Sequence, residues 1–173
     1  RVSMLLSDFT HPGLERRLQW DLRESLEVVE LLAPHLPEHD RERVVTTARS
    51  AWAELSEVVA DLPEQAGHFD LTDDNLVRNS AGLPDGVIDF GDVSQGWAVG
   101  ELAVTLSSVL HHDSPQREPG TGSDAHAVLP AVRAFAARRP LSEPEIHALW
   151  PLVVLRTAVL VCSGHQQTAL DEG

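Results

Sequence analysis

Two acidic stretches, HFDLTDDN at residues 68–75 and DFGD at residues 89–92, constrain the fold more than any other feature of the chain. Between them lie two short apolar pairs, Leu76-Val77 and Val87-Ile88, separated by a stretch that contains NSAGLPDG. Asn79, Gly82, Pro84 and Gly86 mark that connection as a turn, so the spacing predicts a β-hairpin. A hairpin lays the start of its first strand beside the end of its second. Asp70, Asn75, Asp89 and Asp92 are therefore expected at one end of one small sheet. Carboxylates crowded in this way repel one another unless a cation or a reacting group lies among them.

On both sides of the hairpin the apolar residues recur at helical spacing. Leu14, Leu18, Leu22, Leu26 and Val29 predict a helix over residues 14–32, ended by Pro34 and Pro37. Val44, Ala48, Trp52, Leu55 and Val59 predict a second over residues 37–62, stopped by Pro63. Helix is expected again from about Trp97, then over residues 125–139. A last one has a Ser142 cap, Pro144 in its first turn and a kink or restart at Pro151. The Pro-, Gly- and Ser-rich residues 113–124 read as a mobile loop. Trp20, Trp52, Trp97 and Trp150 are expected in packed positions. Glu101, odd beside Leu102, is expected to pair with an arginine such as Arg156. The whole is a mainly α chain, residues 1–173 as a single domain, around one acidic hairpin.

Charge narrows the partners. The chain carries a formal net charge of −14, which repels nucleic-acid phosphates and anionic membrane surfaces. Neither partner is expected, and no run of 18 apolar residues predicts a membrane span. All 13 basic residues are arginine; lysine is absent. The single cysteine, Cys162, sits in an apolar helical context and reads as a buried core thiol. With no signal-peptide pattern at the N-terminus, a cytoplasmic location is expected. The first residue is not methionine, which suggests a processed chain or a segment of a longer one.

An all-oxygen set of aspartate, asparagine and aspartate suits a hard cation such as Mg²⁺, which takes one or two carboxylates and completes its shell with water and phosphate oxygens. The spacing also matches phosphoryl transfer in protein kinases. Their catalytic loop reads H-R-D-x-x-x-x-N, and His68, Asp70 and Asn75 occupy those places; Asp89, Phe90 and Gly91 then spell D-F-G. Either motif alone is weak, but both in order around a hairpin are specific. An EF-hand does not fit, because its obligatory Gly would fall on Asn75 and its Glu on Ala81. Zinc does not fit either, since His111 and His112 have no Cys or His at ligand spacing.

From these residues the chain resembles the aminoglycoside phosphotransferase and choline kinase-like family of small-molecule kinases, and within it the hydroxylysine kinase-like branch. HFDLTDDNLV, GVIDFGDV and GELAVTL carry the resemblance, with FTHPGLERRLQWDL upstream. It implies the C-terminal lobe of a protein-kinase-like α+β fold. It implies Asp70 as the catalytic carboxylate, Asn75 and Asp89 as Mg²⁺ ligands and nucleotide-site residues, and His68 as a brace for the loop. The donor would be ATP or GTP, and the acceptor a small, amine-bearing, cationic molecule. Two features depart from the family pattern. Phe69 stands where glycine is usual, and an N-terminal nucleotide lobe with its lysine is missing, so this chain alone is expected to be inactive.

Some residues keep two readings. Asp73 and Asp74 either cap a turn or are simply solvated. Asp92 either supports the metal site or caps the helix near Trp97. For the chain as a whole, a catalytically silent kinase-like module that binds a metabolite or a partner domain is the alternative. A metal-dependent phosphate-ester hydrolase ranks last.

Overall fold

Residues 143–171 carry apolar side chains around much of a long helix and form one without interruption, α6 (Glu143–Asp171). The structure, a computed structural model, describes residues 2–112 and 125–171; the loop expected at residues 113–124 lies outside the described residues. The expected Ser142 cap is present as a reciprocal pair: the Glu145 N–H donates to Ser142 Oγ at 3.4 Å, and the Ser142 N–H donates to Glu145 Oε2 at 3.0 Å. Helix continues through Pro151, where a kink or restart is expected. By length and apolarity alone α6 could cross a bilayer. Here it is the core helix, with Ala148, Leu152, Leu155, Val159 and Cys162 buried.

Around α6 pack α2 (Ser25–Leu32), α3 (Glu38–Ser56) and α4 (Gly100–His112). A short α1 (Val2–Leu6) precedes them, and α5 (Leu129–Ala136) lies between α4 and α6 in the chain. Trp97 is buried, Trp20 and Trp52 are half-buried against the core, but Trp150 stays 48% exposed, contrary to expectation.

The expected hairpin forms from β2 (Leu76–Arg78) and β3 (Pro84–Val87), with Leu76 opposite Val87 and a bulge between Val77 and Arg78. Asn79 shapes its turn by accepting the Ala81 and Leu83 N–H groups on Oδ1, at 3.0 and 3.1 Å. Gly82 takes the positive φ, +75°, that an L side chain rarely adopts.

Two further expectations fail, for tertiary reasons. The helix predicted over residues 14–32 exists only as α2 and a 3-10 turn at Leu22–Glu24. Upstream of it Arg16 donates to the Gly91 and Val93 carbonyls, the latter at 2.7 Å, and the Arg156 guanidinium lies over the Trp20 ring. Asp21 caps the 3-10 turn through the Arg23 N–H at 2.9 Å. These contacts hold residues 15–21 across the end of the sheet, where a helix could not make them. Second, Trp97 begins no helix. It closes β4 (Ser94–Trp97), which pairs antiparallel with β1 (Glu64–Gly67). EQAG and SQGW have no β-branched residue and no alternation, so nothing local marks them as strands.

Candidate functional site

The loop between β1 and β2 carries the first acidic stretch, and α4 grips it from beneath. Glu101, 2% exposed, accepts the backbone N–H of His68 on Oε1, while its Oε2 is buried with no hydrogen-bond partner among the described residues. One turn further on, Thr105 Oγ1 donates to the Leu71 carbonyl at 3.0 Å. Expectation placed Glu101 with Arg156; it holds the loop instead, because its helix runs directly under residues 68–71. Burial pushes the Glu101 carboxyl above the usual carboxylate range, and the His68 N–H draws it partly back.

Glu101→Leu leaves the His68 N–H buried without its acceptor. It should destabilise the fold by on the order of 1–3 kcal/mol, read by urea unfolding. Glu101→Gln separates the charge from the bond. The folded carboxyl keeps its proton to higher pH than the unfolded one. Its contribution is therefore full below the unfolded value of about 4.3 and is lost as pH rises through the folded one. Relative to wild type, Glu101→Gln should gain stability as pH is raised from about 4 to 8, and parallel curves would refute that assignment.

Phe69 holds φ at +53° and is buried. The left-handed backbone explains why glycine suits this position, and three glycines explain why phenylalanine fits here. A Cβ on Gly67, Gly96 or Gly100 would come within 2.7, 2.8 or 3.2 Å of the Phe69 ring. The ring occupies a slot that β1, β4 and the start of α4 leave open by lacking side chains. Gly96→Ala should therefore cost about 1–3 kcal/mol in thermal or urea unfolding. An unchanged midpoint would mean that the slot is not closely packed.

The structure brings the expected residues together. Asn75 Nδ2 donates to Asp70 Oδ2 at 2.7 Å and to the Asp70 carbonyl at 2.8 Å. The Ile88 N–H donates to the Asn75 carbonyl at 3.1 Å, setting Asp89 beside Asn75 across the hairpin end. Asp89 is exposed, with φ at +59°, and its Oδ1 accepts the Gly91 N–H at 3.2 Å. His68 is fully buried against the edge of Phe90, ring centroids 4.8 Å apart. Its Nδ1 accepts the Asp70 N–H at 3.3 Å, so the proton resides on Nε2, which donates to the Ile88 carbonyl at 3.0 Å. One imidazole thus ties the two acidic stretches together.

The remaining acids divide. Asp73 pairs with Arg78 in the 3-10 turn Asp73–Asn75, and Asp74 is exposed there. Asp92 caps no helix: α4 starts eight residues later, with β4 between. It belongs to the turn Phe90–Asp92, lines a small cavity beside Trp20, and lies near enough to Arg156 for its charge to act on the guanidinium. Arg156 reaches from α6 to Asp70 Oδ1 at 3.2 Å. Helical periodicity gave no sign of Arg156 and Trp20 as site residues: Arg156 lies in no motif, and Trp20, though within FTHPGLERRLQWDL, reads there only as a packing residue.

The oxygen donors present fit Mg²⁺. Asn75 and Asp89 lie at the same end of the hairpin, whose strands the Ile88 N–H joins through the Asn75 carbonyl, and the exposed Asp89 carboxylate is of the kind that shares a Mg²⁺ shell with water and phosphate oxygens.

The phosphotransferase enzyme family, APH, matches residues 5–149. Homoserine kinases of Pseudomonas aeruginosa are 32% identical over 137 residues, covering 79% of this chain and 39% of theirs. The chain thus spans about two fifths of the length of these curated relatives. Among solved structures, the aminoglycoside phosphotransferase APH(3'')-Id of Streptomyces rimosus, in complex with ADP and streptomycin, matches with a TM-score of 0.52. The identity is 20%, over 90% of this chain and 59% of that one. The mainly helical fold with its small antiparallel sheets is the kinase-like fold of such enzymes.

Proposed function

The chain belongs to the phosphotransferase enzyme family, and on that premise we propose that it transfers the γ-phosphoryl group of ATP or GTP to a hydroxyl of a small, amine-bearing acceptor. The observation that carries the reading is the joining of Asp70, Asn75 and Asp89 at one hairpin end, through Asn75 Nδ2 on Asp70 Oδ2 and the Ile88 N–H on the Asn75 carbonyl. Asp70 orients the acceptor hydroxyl and takes its proton late, since the transition state is loose and asks little of a base. Asn75 and Asp89 would hold Mg²⁺, which supplies charge neutralisation at the nucleotide phosphates. His68 keeps the two stretches in register from below, and Asp92 lends charge from beside Arg156.

The acceptor we favour is a hydroxylated amino acid. The resemblance of HFDLTDDN to the hydroxylysine kinase-like branch supports it, as does the homology to homoserine kinases. The acidic surface suits a cationic group on the acceptor. Residues 1–173 act in this reading as the C-terminal lobe of a longer cytoplasmic enzyme. A phosphate-binding lysine then comes from outside them, in keeping with the share of the relatives that is spanned. Phe69 does not argue for a silent module, because its ring is buried in the glycine slot.

The test is ADP release by the full-length protein from ATP and Mg²⁺, with homoserine, hydroxylysine, choline and amino sugars supplied in turn. Release that depends on one of them establishes the reaction and names the acceptor. Nucleotide binding without release under any of them would transfer the assignment to a binding module.

A further inference from the structure

Arg156 stands in the middle of α6 at 4% exposure. Its guanidinium lies 4.9 Å over the Trp20 ring, and its one ion-pair contact among the described residues is Nη2 to Asp70 Oδ1 at 3.2 Å. Nε and Nη1 are buried and find no hydrogen-bond partner among the described residues. For an arginine kept to stabilise the fold this is a poor arrangement. A buried ion pair repays its desolvation only when the geometry is close and the remaining donors are satisfied. Arginine reaches its full strength in two parallel bonds to one carboxylate. Here one contact is made, at the long end of the range, and two donors go unmet. A methionine would fill the same space in the core without stranding any donor.

What the guanidinium does achieve is local to Asp70. That side chain is short, 28% exposed, and follows a residue in left-handed conformation on a loop. Asn75 restrains one carboxylate oxygen, Oδ2, at 2.7 Å. Arg156 restrains the other from the opposite, core side. Two contacts from two elements fix the plane of a carboxylate, where one would leave it free to turn.

We infer that Arg156 is the positioning residue of Asp70, holding Oδ1 from α6 so that the carboxylate stands in its working orientation before an acceptor arrives. Trp20 and Asp92 hold the guanidinium in turn, one by stacking and the other by charge. This accounts for the unwound stretch at residues 15–21: a helix there would not leave Trp20 lying on Arg156. The inference rests on the proposed phosphoryl transfer for the role of Asp70, but the restraint itself can be read without turnover.

The experiment is Arg156→Met in the full-length protein, with a crystal structure and steady-state kinetics, and Arg156→Lys beside it. Arg156→Met keeps length and apolar packing while removing every donor. The expected structure shows Asp70 turned away from Asn75 or split between rotamers. The expected kcat falls by about 10–100-fold, as for loss of a partner that orients a reacting group. The KM for nucleotide stays within about twofold, because the nucleotide site is untouched. Arg156→Lys, with a charge and a donor but no planar fork, recovers part of the lost kcat. Asp70 found unmoved in Arg156→Met overturns the inference; if that variant does not fold, Asp70 in Arg156→Lys, with kcat equal to wild type, does so. A wild-type protein inert toward every acceptor would sink the phosphotransferase reading instead, and the position of Asp70 in the variant would still decide this one.

Discussion

Substituting Asp70→Asn in the full-length protein should lower kcat for phosphoryl transfer by about 10²–10⁴-fold, the range for removing a positioned acid–base group. Nucleotide binding should hardly change. The two side chains have the same shape, so what is lost is charge and the capacity to accept a proton. Arg156 can still donate to an amide oxygen where it now meets Oδ1 at 3.2 Å. Asn75 Nδ2 keeps its second acceptor, the Asp70 carbonyl at 2.8 Å. Asp70 is itself partly open to water, but its replacement leaves the buried Arg156 guanidinium without its counter-charge, so circular dichroism of the variant is the control for folding. The loop beneath it is held independently by Glu101 and Thr105. The check is acceptor-dependent ADP release alongside a nucleotide titration followed by tryptophan fluorescence. Full activity in the variant would remove Asp70 from the mechanism.

Asp89→Asn carries the second large effect. The position needs a residue that tolerates φ of +59°, and asparagine does so more readily than most, which keeps the backbone of the turn. The Gly91 N–H at 3.2 Å can be accepted by the amide oxygen as well as by the carboxylate. What disappears is the negative charge on the hairpin end beside Asn75. A residue that holds the metal directly should cost more than the ~100-fold typical of its supporting partners. The Mg²⁺ concentration for half-maximal rate should rise as well. Activity titrated against Mg²⁺, with circular dichroism as the control for folding, measures both. A rate and a Mg²⁺ requirement equal to wild type would show that Asp89 holds no metal.

These two predictions concern residues that could be chosen from the chain alone, and the reason is local. His68, Asp70 and Asn75 lie within eight residues, and the turn chemistry of Asn79 and Gly82 makes the hairpin that delivers Asp89. Every link in that inference spans a few residues, so spacing and turn preference suffice. The helical stripes of α3 and the Ser142 cap of α6 were legible for the same reason. The stripe over residues 14–32 misled because periodicity measures only what a helix could bury. It does not register the competing contacts that Arg16 and Trp20 make with partners more than 70 residues away.

The order of residues along the chain therefore marked out the acidic cluster, the hairpin that assembles it and the mainly helical surroundings, since each depends on neighbours in sequence. The supports of the site were decided only when the chain closed on itself. Glu101 lies 33 residues from the His68 N–H it accepts, and Arg156 lies 86 from the carboxylate it meets. The glycines around Phe69 make a slot only once β1 and β4 are paired. Contacts of that kind leave no period and no motif. They depend on which buried faces happen to meet, and packing, not local preference, determines that.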